Sequence, residues 1–353
     1  MTAHNLLLAA LAIQILAACI ALIAVLAHAL YLRWWERSHR SKRTAGRLII
    51  VEALDEGTLP PDASDILRSL PFRLQVALFV DLAPNLSGLQ RERLTQLAHT
   101  VGLLDRAERR CSSRVWWRRL QGARLFTILG GGDSVLPAMF DDRRYEVRAQ
   151  AAEWGAEHPD EEVIQSLVEM LGDEKTLCRF TVQDSLLRLR SAAVEPLTRR
   201  LLTGRRRLHE VTAALRVAGG LSDPRLLEPA LQLCRDDRAE VRMLALSVVG
   251  GLGGHDAIQV LLDGLSDPSA EVRAAAARSL GKLEHWPVAA PLAGLLRDES
   301  WEVRREAGLA LRALGTPGLV LLRRSLNDED RFAADMAKQV LGLPDTNLRI
   351  ARV

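Results

Sequence analysis

The sequence is poor in aromatic residues and has few cysteines. Only 4% of its 353 residues are aromatic, whereas Leu, Ala and Arg are abundant. β-Sandwiches favour aromatic and β-branched residues, so this composition indicates packed helices instead. The four cysteines, Cys19, Cys111, Cys178 and Cys234, are widely separated and form no C-x-x-C pair. This spacing excludes a disulfide framework and the usual structural zinc sites.

The sequence also lacks the common motifs of catalysis. It contains no H-E-x-x-H and no G-x-S-x-G, and no P-loop lysine follows the glycine-rich stretches at 129–134 and 250–256. Such glycines are typical of turns that end helices. We therefore predict no catalytic, cofactor-binding or metal-binding residue, no cofactor and no small-molecule substrate. The net charge of +3 is too small to predict nucleic-acid binding.

Charged residues are absent from Leu6 to Leu30. A helix over this stretch spans roughly 37 Å, which is enough to cross a bilayer core of about 30 Å. The stretch is followed by aromatic and basic residues typical of a membrane interface: Tyr31, Arg33, Trp34, Trp35 and Arg37. Because Lys and Arg follow the stretch and none precedes it, the positive-inside rule puts the amino terminus outside and the rest of the chain in the cytoplasm.

A cleaved signal peptide is the alternative interpretation of this stretch. Ala27-His28-Ala29 resembles a signal-peptidase site. However, no positive charge precedes the apolar run, and the run is longer than a typical signal-peptide core. We therefore favour a single-pass anchor in the cytoplasmic membrane, with a basic juxtamembrane linker after it.

A 31-residue repeat occupies the carboxy-terminal two thirds of the chain. An apolar residue followed by Arg recurs with gaps of 31, 63, 31 and 31 residues, and an Asp precedes most copies in the same phase. In most copies, a small residue follows four positions after this apolar residue and an aliphatic residue follows eight positions after it. On a helix these positions lie on one face and form an apolar stripe. We expect the repeated charges to form a structural ladder: Asp142, Arg148, Asp173, Arg179, Arg242, Asp267, Arg273, Asp298 and Arg304.

Each repeat is long enough for two amphipathic helices joined by turns. Neither helix buries its stripe alone, so successive pairs must stack into a solenoid. The predicted fold is all-α, with one transmembrane helix followed by about seven helix pairs. The first pair is expected at 116–142 and a terminal half-repeat at 331–343, and the copies at 175–205 and 206–238 are irregular. The expected boundaries are an outer terminus at 1–4, the anchor at 5–32, the linker at 33–60, a helical cap at 61–113, the solenoid at 114–343 and a tail at 344–353.

The stretch "DPSAEVRAAAARSLGKL" at 267–283 resembles the short bacterial HEAT-like repeat of the type named after phycobilisome lyases. This resemblance covers about residues 114–343 and implies a surface that binds another protein. A second stretch, "RVWWRRLQGARLF", is similar to the first repeat of membrane-anchored bacterial HEAT-like proteins that accompany membrane glycosyltransferases of exopolysaccharide synthesis. The resemblance leaves two alternatives open, a bilin lyase-like enzyme and a nucleic-acid-binding HEAT-like protein.

Basic clusters are the best candidates for contact with a partner. We expect the partner to be a membrane protein or a membrane-associated complex, and the protein to be a non-catalytic scaffold at the bacterial inner membrane. Arginines at the end of one predicted second helix and in the first repeat are the candidate contact residues: Arg199, Arg200, Arg205, Arg206, Arg207, Arg118 and Arg119. Cations at a helix end also complement the helix dipole without any ligand.

Overall fold

The computed structural model describes residues 3–173, 175–203, 207–283 and 285–344. Over these residues the fold is entirely helical, with no strand, as predicted. The nineteen α-helices, α1 to α19 in chain order, are Ala3–Glu56, Pro61–Ser69, Phe72–Leu82, Gly88–Thr100, Leu103–Cys111, Trp116–Leu129, Tyr145–Gly155, Glu161–Glu169, Thr176–Leu189, Val194–Leu202, Leu208–Leu221, Leu227–Leu233, Ala239–Leu252, His255–Gly264, Ala270–Lys282, Ala289–Gly294, Trp301–Ala313, Thr316–Ser325 and Arg331–Leu341.

The chain divides into two compact units, residues 1–135 and residues 136–353. The observed boundary lies after residue 135. The expected boundary, between the cap at 61–113 and the solenoid at 114–343, lies 22 residues earlier. Helix α6, which was expected to open the solenoid, packs instead within unit 1. At Gly122 of α6, an added Cβ would stand 2.6 Å from Cys111 Sγ and 2.7 Å from the Ala107 carbonyl oxygen of α5. This close approach holds α6 to α5.

Unit 1 begins with one long helix, α1, which continues without a break through the basic segment expected to be a linker at 33–60. Within α1, Ile13–Tyr31 is long and apolar enough to cross a membrane, and its side chains are exposed. By length and composition alone, a signal sequence would have the same properties. The last turns of α1 are different, because Ile50, Ala53 and Leu54 are buried against the following helices.

Local chemistry explains why α1 ends at Glu56 and not near Arg33. Charged residues do not interrupt a helix, whereas Gly57 takes a left-handed φ of 76° and Pro60 and Pro61 prevent further helical hydrogen bonding. Arg93 of α4 donates hydrogen bonds to the carbonyl oxygens of Leu54, at 2.6 Å, and Asp55, at 3.2 Å. These bonds satisfy carbonyl groups that a helix end leaves without intrahelical donors.

Unit 2 is a solenoid of six helix pairs, α7–α8 through α17–α18, followed by the single helix α19. The first helices of successive pairs lie side by side and form one layer, and the second helices form the other. The irregular copies at 175–205 and 206–238 correspond to α9–α10 and α11–α12. The repeated apolar position is fully buried in five of the six pairs, at Val147, Cys178, Val241, Val272 and Val303.

Small residues allow neighbouring first helices to approach closely. An added Cβ at Gly250 of α13 would lie 2.3 Å from Ser279 Cβ and 3.0 Å from Ser279 Cα of α15. At the adjacent Gly251, no atom lies within 4 Å of such a Cβ. The spacing of these two helices is therefore set at Gly250.

We predict opposite effects for alanine at these two adjacent glycines. Gly250→Ala forces α13 and α15 apart, so the free energy of unfolding should fall by about 1–3 kcal/mol, the usual cost of overpacking. Gly251→Ala gains helix propensity without a clash and should raise that free energy by up to about 1 kcal/mol. Urea denaturation of the full chain in detergent, followed by circular dichroism, measures both. Equal destabilisation by the two variants would contradict the close approach at Gly250.

Candidate functional site

The repeated Asp and Arg residues form a bonded series along unit 2. At Asp267, the carboxylate accepts the backbone N–H of Ser269 at 2.8 Å and two bonds from the Arg242 guanidinium, at 2.8 and 2.9 Å. The carbonyl oxygen of Asp267 accepts a bond from Arg273 at 2.9 Å, and Arg273 in turn donates to the next carboxylate, Asp298. Each arginine therefore joins two successive repeats.

The same two bonds recur at Arg148, whereas Arg179 and Arg304 keep only the carbonyl bond. Arg148 donates to the Asp142 carbonyl oxygen at 2.7 Å and to the Asp173 carboxylate at 2.7 Å. Arg179 donates to the Asp173 carbonyl oxygen at 3.0 Å. The series changes at its end: Arg304 donates to the Asp298 carbonyl oxygen and lies 4.9 Å from the centre of the Phe332 ring. The ladder residues thus contact each other along the stack.

Ion pairing fixes the protonation of these groups. Burial disfavours the charged form of Asp298, but hydrogen bonds from Arg273 and from the Ser300 N–H outweigh it and lower the pKa of this carboxyl group. The same balance, with Arg242 and Ser269, lowers the pKa of Asp267. These carboxylates stay ionised at neutral pH, and their charge is used within the fold.

Three of the four cysteines are kept protonated by burial. Burial raises the pKa of Cys111, Cys178 and Cys234 to about 12 in each case. A thiol that stays protonated is a poor nucleophile and a poor metal ligand. Within the described residues, no group of three or more His, Cys, Asp or Glu side chains is placed to hold a metal ion.

Two of the arginines expected to contact a partner at 199–207 already face acidic residues. Arg200 forms an ion pair with the buried carboxylate of Glu210. Arg199 lies 3.8 Å from the Glu195 carboxylate on the same helix. Arg207 directly precedes α11, and Arg205 and Arg206 lie outside the described residues.

The two arginines expected in the first repeat have different surroundings. Arg119 donates to the carbonyl oxygens of Ser113, at 3.0 Å, and Arg114, at 3.2 Å. Arg118 lies over the ring of Trp117, 5.3 Å from its centre, and Trp117 is 45% exposed. Trp117 and Arg118 both line a groove of unit 1.

This groove, which we call the arginine groove, lies between α3, α5 and α6 and has a volume of about 830 Å³. It has no acidic residue in its lining. Six arginines line it: Arg73, Arg106, Arg109, Arg110, Arg118 and Arg124. Six apolar side chains complete most of the wall: Phe72, Val76, Val80, Trp117, Leu125 and Ile128.

The arginines of the groove interact with neutral groups. Arg110 donates to Gln121 Oε1 at 2.8 Å and lies 4.1 Å from the centre of the Phe72 ring. Arg106 donates to the Gly102 carbonyl oxygen at 3.2 Å and to Gln75 Oε1. Among the described residues, no carboxylate lies within 4.0 Å of a guanidinium nitrogen of these six arginines. In the solenoid, by contrast, the carboxylates of Asp173, Asp267 and Asp298 are each bonded to an arginine.

Crowding of like charges has an electrostatic consequence in the groove. Burial, followed by the charge of Arg109, lowers the pKa of Arg106. Burial, followed by the charges of Arg118, Arg106 and Arg73, lowers the pKa of Arg110. Both arginines stay protonated at neutral pH, so their mutual repulsion remains and would be relieved by a bound anion.

Sequence reasoning found only part of this site. Arg118 and the pair Arg109-Arg110 stand out as basic clusters, whereas Arg73, Arg106 and Arg124 are separated along the chain. A signal was present on α5, because Arg106, Arg109 and Arg110 have the i, i+3, i+4 spacing of one helix face. The packing of α3 beside α5 and α6, which completes the groove, has no signature in the sequence.

Comparison with known proteins identifies the repeats. Residues 258–342 match the family of HEAT repeats. This part of unit 2 consists of HEAT repeats. None of the curated proteins matches the sequence.

Solved structures are similar to this chain in fold. A mutant of Kap121p has 14% sequence identity and a TM-score of 0.59 over 88% of this chain and 43% of its own. Kap121p bound to the extreme C-terminus of the protein phosphatase Cdc14p has 14% identity and a TM-score of 0.57 over 85% and 40%. The complex of CpcE and CpcF of phycocyanin lyase from Nostoc sp. PCC7120 has 17% identity and a TM-score of only 0.31 over 71% and 94%. At these identities the likeness to the karyopherin shows the helical solenoid fold alone, and this chain spans less than half of the karyopherin's length.

We predict that the ladder stabilises the HEAT solenoid in a pH-dependent way. The Arg273 and Asp298 side chains are only 10% and 8% exposed. Asp298→Asn leaves Arg273 without its charged partner, so the free energy of unfolding at neutral pH should fall by about 2–4 kcal/mol. Because the pKa of Asp298 is lowered on folding, its contribution is present above the ordinary carboxyl pKa of about 4 and is lost below it. The stability of Asp298→Asn should therefore fall less on acidification than that of the wild type.

Arg331→Gln is the matched control, because it removes an exposed pair with Asp335 at 3.7 Å. Such exposed pairs contribute less than about 1 kcal/mol. Urea denaturation of the full chain at neutral pH and at about pH 2–3, below the ordinary carboxyl pKa, measures both variants. Similar losses for Asp298→Asn and Arg331→Gln would contradict a stabilising ladder.

Proposed function

We propose that this protein is a membrane-tethered, non-catalytic scaffold whose HEAT-repeat region binds a partner protein. The observation that best supports this proposal is the continuity of α1. This one helix joins the apolar segment Ile13–Tyr31 to the packed part of unit 1. The turns beyond Gly46 pack on α2 and α3, so the apolar segment and the folded unit share a rigid element. No Lys or Arg precedes the apolar segment, whereas a signal peptide typically begins with a positively charged region.

The proposed location is the bacterial inner membrane, with the amino terminus outside and the chain beyond the apolar segment in the cytoplasm. Supporting this orientation, Arg33, Arg40, Lys42, Arg43 and Arg47 follow the apolar segment, and no Lys or Arg precedes it. Tyr31 and Trp34 lie where aromatic rings favour the headgroup layer.

A protein partner suits the HEAT solenoid better than a small molecule does. A stack of helix pairs offers an extended surface to which each repeat contributes the same face. The karyopherin that shares this fold was crystallised bound to a segment of another protein, the C-terminus of a phosphatase. The partner that we propose is a membrane protein, and the resemblance at Trp116-Trp117-Arg118-Arg119 favours a membrane glycosyltransferase of exopolysaccharide synthesis.

We predict that residues 1–32 hold the protein in the membrane. The full chain should sediment with membranes and stay there after extraction with alkaline carbonate, because removing the apolar helix from lipid exposes it to water. A variant that lacks residues 1–32 should appear in the soluble fraction. Mass spectrometry of the mature protein gives the control: a chain that begins after Ala29 and is recovered from the periplasm would contradict the anchor.

We predict that the tethered protein copurifies with a partner protein in stoichiometric amount. The tagged full chain, solubilised in mild detergent from its own host, is compared with the variant that lacks residues 1–32. Recovery of a membrane enzyme by the full chain, and less of it by the variant, is the expected result. A bound chromophore, or turnover by the isolated protein, would favour the lyase alternative and contradict a non-catalytic scaffold.

A further inference from the structure

The arginine groove carries a concentration of positive charge that the described part of the chain does not neutralise. In unit 2, three of the repeated arginines are bonded to carboxylates: Arg148 to Asp173, Arg242 to Asp267 and Arg273 to Asp298. The groove arginines bond only to neutral oxygens and aromatic rings. Arginines held close together without counter-charges are typical of surfaces that bind carboxylates or phosphates.

The wall of the groove also has an apolar part that an inorganic anion would leave uncovered. Val76 and Val80 lie one turn apart on α3, and Leu125 and Ile128 are placed likewise on α6. Phe72 lies at the start of α3 beneath Arg110. A ligand that fits both parts must carry several negative charges together with bulky apolar groups.

The position of the groove relative to α1 favours a soluble segment over a lipid headgroup. Helix α3 runs antiparallel to α1, since Arg43 pairs with Asp81 near the end of α3 and Gly46 lies against Leu78, one turn earlier. Arg43 is twelve residues beyond Tyr31, or about 18 Å along a helix. Phe72, at the opposite end of α3 from Asp81, lies farther still from the apolar segment, by about 14 Å of helix. The basic end of the groove therefore faces away from the proposed membrane.

We propose that the arginine groove binds an acidic amphipathic segment of the partner protein. Its carboxylates would contact Arg106, Arg109, Arg110 and Arg118, and its apolar side chains would cover the wall formed by α3 and α6. This inference rests on the proposed function of a protein-binding scaffold and names the chemistry of the bound segment. Amphipathic helices commonly bind apolar grooves in this manner, with charge complementarity fixing their orientation.

The test uses a defined probe and the full chain in a neutral detergent. The probe is a fluorescein-labelled peptide in which pairs of glutamates alternate with pairs of leucines, and a second peptide has serine in place of leucine. Fluorescence anisotropy should show saturable binding of the glutamate–leucine peptide, at least about tenfold tighter than that of the glutamate–serine peptide, because each buried leucine adds hydrophobic free energy.

Charge reversal and a wall substitution separate the two parts of the site. Arg109→Glu with Arg118→Glu changes two exposed arginines that donate no hydrogen bond within the described residues, and should weaken the glutamate–leucine peptide by at least about tenfold. The control, Arg323→Glu with Arg324→Glu on α18, makes the same charge change on exposed positions of unit 2 and should leave binding unchanged.

The substitution Val80→Gln tests the apolar wall. It should weaken binding of the glutamate–leucine peptide and leave binding of the glutamate–serine peptide unaffected. Circular dichroism verifies that each variant is folded.

Several outcomes would overturn the proposal. Equal binding of both peptides would show that the groove recognises charge alone. Displacement of the peptide by inorganic phosphate, tighter binding of phosphatidylglycerol vesicles, or tighter binding of a single-stranded oligonucleotide with a steep salt dependence would assign the groove to a free anion, a lipid or a nucleic acid. No saturable binding of either peptide would also overturn it.

The same variants distinguish this inference from the proposed function. Copurification of a partner with the wild type but not with Arg109→Glu, Arg118→Glu supports both. If the partner copurifies equally with the wild type and with the double variant, the groove is not the docking site, but the proposed scaffold function is still supported. If neither the wild type nor the double variant recovers a partner, the proposed scaffold function is contradicted. Binding of the glutamate–leucine peptide by the wild type would still show that the groove is specific for acidic segments.

Discussion

A bridge between an arginine and the aspartate of the next repeat underlies the HEAT solenoid. Asp267 makes all the hydrogen bonds of this bridge. Its carboxylate accepts hydrogen bonds from the Ser269 N–H and from Arg242 of the preceding copy, and its carbonyl oxygen accepts one from Arg273. One residue thus stabilises the turn before its own helix and ties two neighbouring helices together. Arg242 and Asp267 are 25 residues apart, and the same separation recurs at Arg148–Asp173 and Arg273–Asp298, so the bridge fits a repeat of constant length. The helices can then bury their apolar faces only in one register.

The same bridge explains why charge in the two units has different uses. A solenoid arginine such as Arg273 donates to a carboxylate and a carbonyl oxygen of its own fold, so it has little capacity left for a ligand. Arg110 in the arginine groove is bonded to Gln121 and to the face of Phe72, which leaves its positive charge without a counter-charge. An abundance of arginine is therefore a poor guide to binding. The informative property is the absence of a carboxylate beside it among the described residues.

Sequence reasoning found what is periodic and missed what depends on packing. The all-helical class and the HEAT-like repeats were predictable because the same apolar position, as at Val272 and Val303, recurs at a fixed interval and must be buried. The extent of α1 was not predicted, since a basic segment was interpreted as a linker when only Gly57 and the two following prolines interrupt the helix. The arginine groove was found only in part, because Arg73 and Arg118 lie on helices brought together by tertiary contacts. Close approach at Gly122 holds α6 in unit 1, and no local pattern distinguishes such a glycine from one in a turn.

The continuity of α1 limits how a tethered scaffold of this kind presents its groove. A flexible linker would let unit 1 sample many heights and orientations above a membrane, whereas a helix rises by a fixed 1.5 Å per residue. Arg43 and Gly46 are already packed against α3, so the distance from Tyr31 to unit 1 is set by covalent geometry. Docking then loses less conformational entropy than it would with a mobile tether, because the groove is held at one height before the partner arrives. A rigid stalk and an uncompensated basic groove in the same unit together favour a partner whose acidic segment is held at a matching distance from the bilayer.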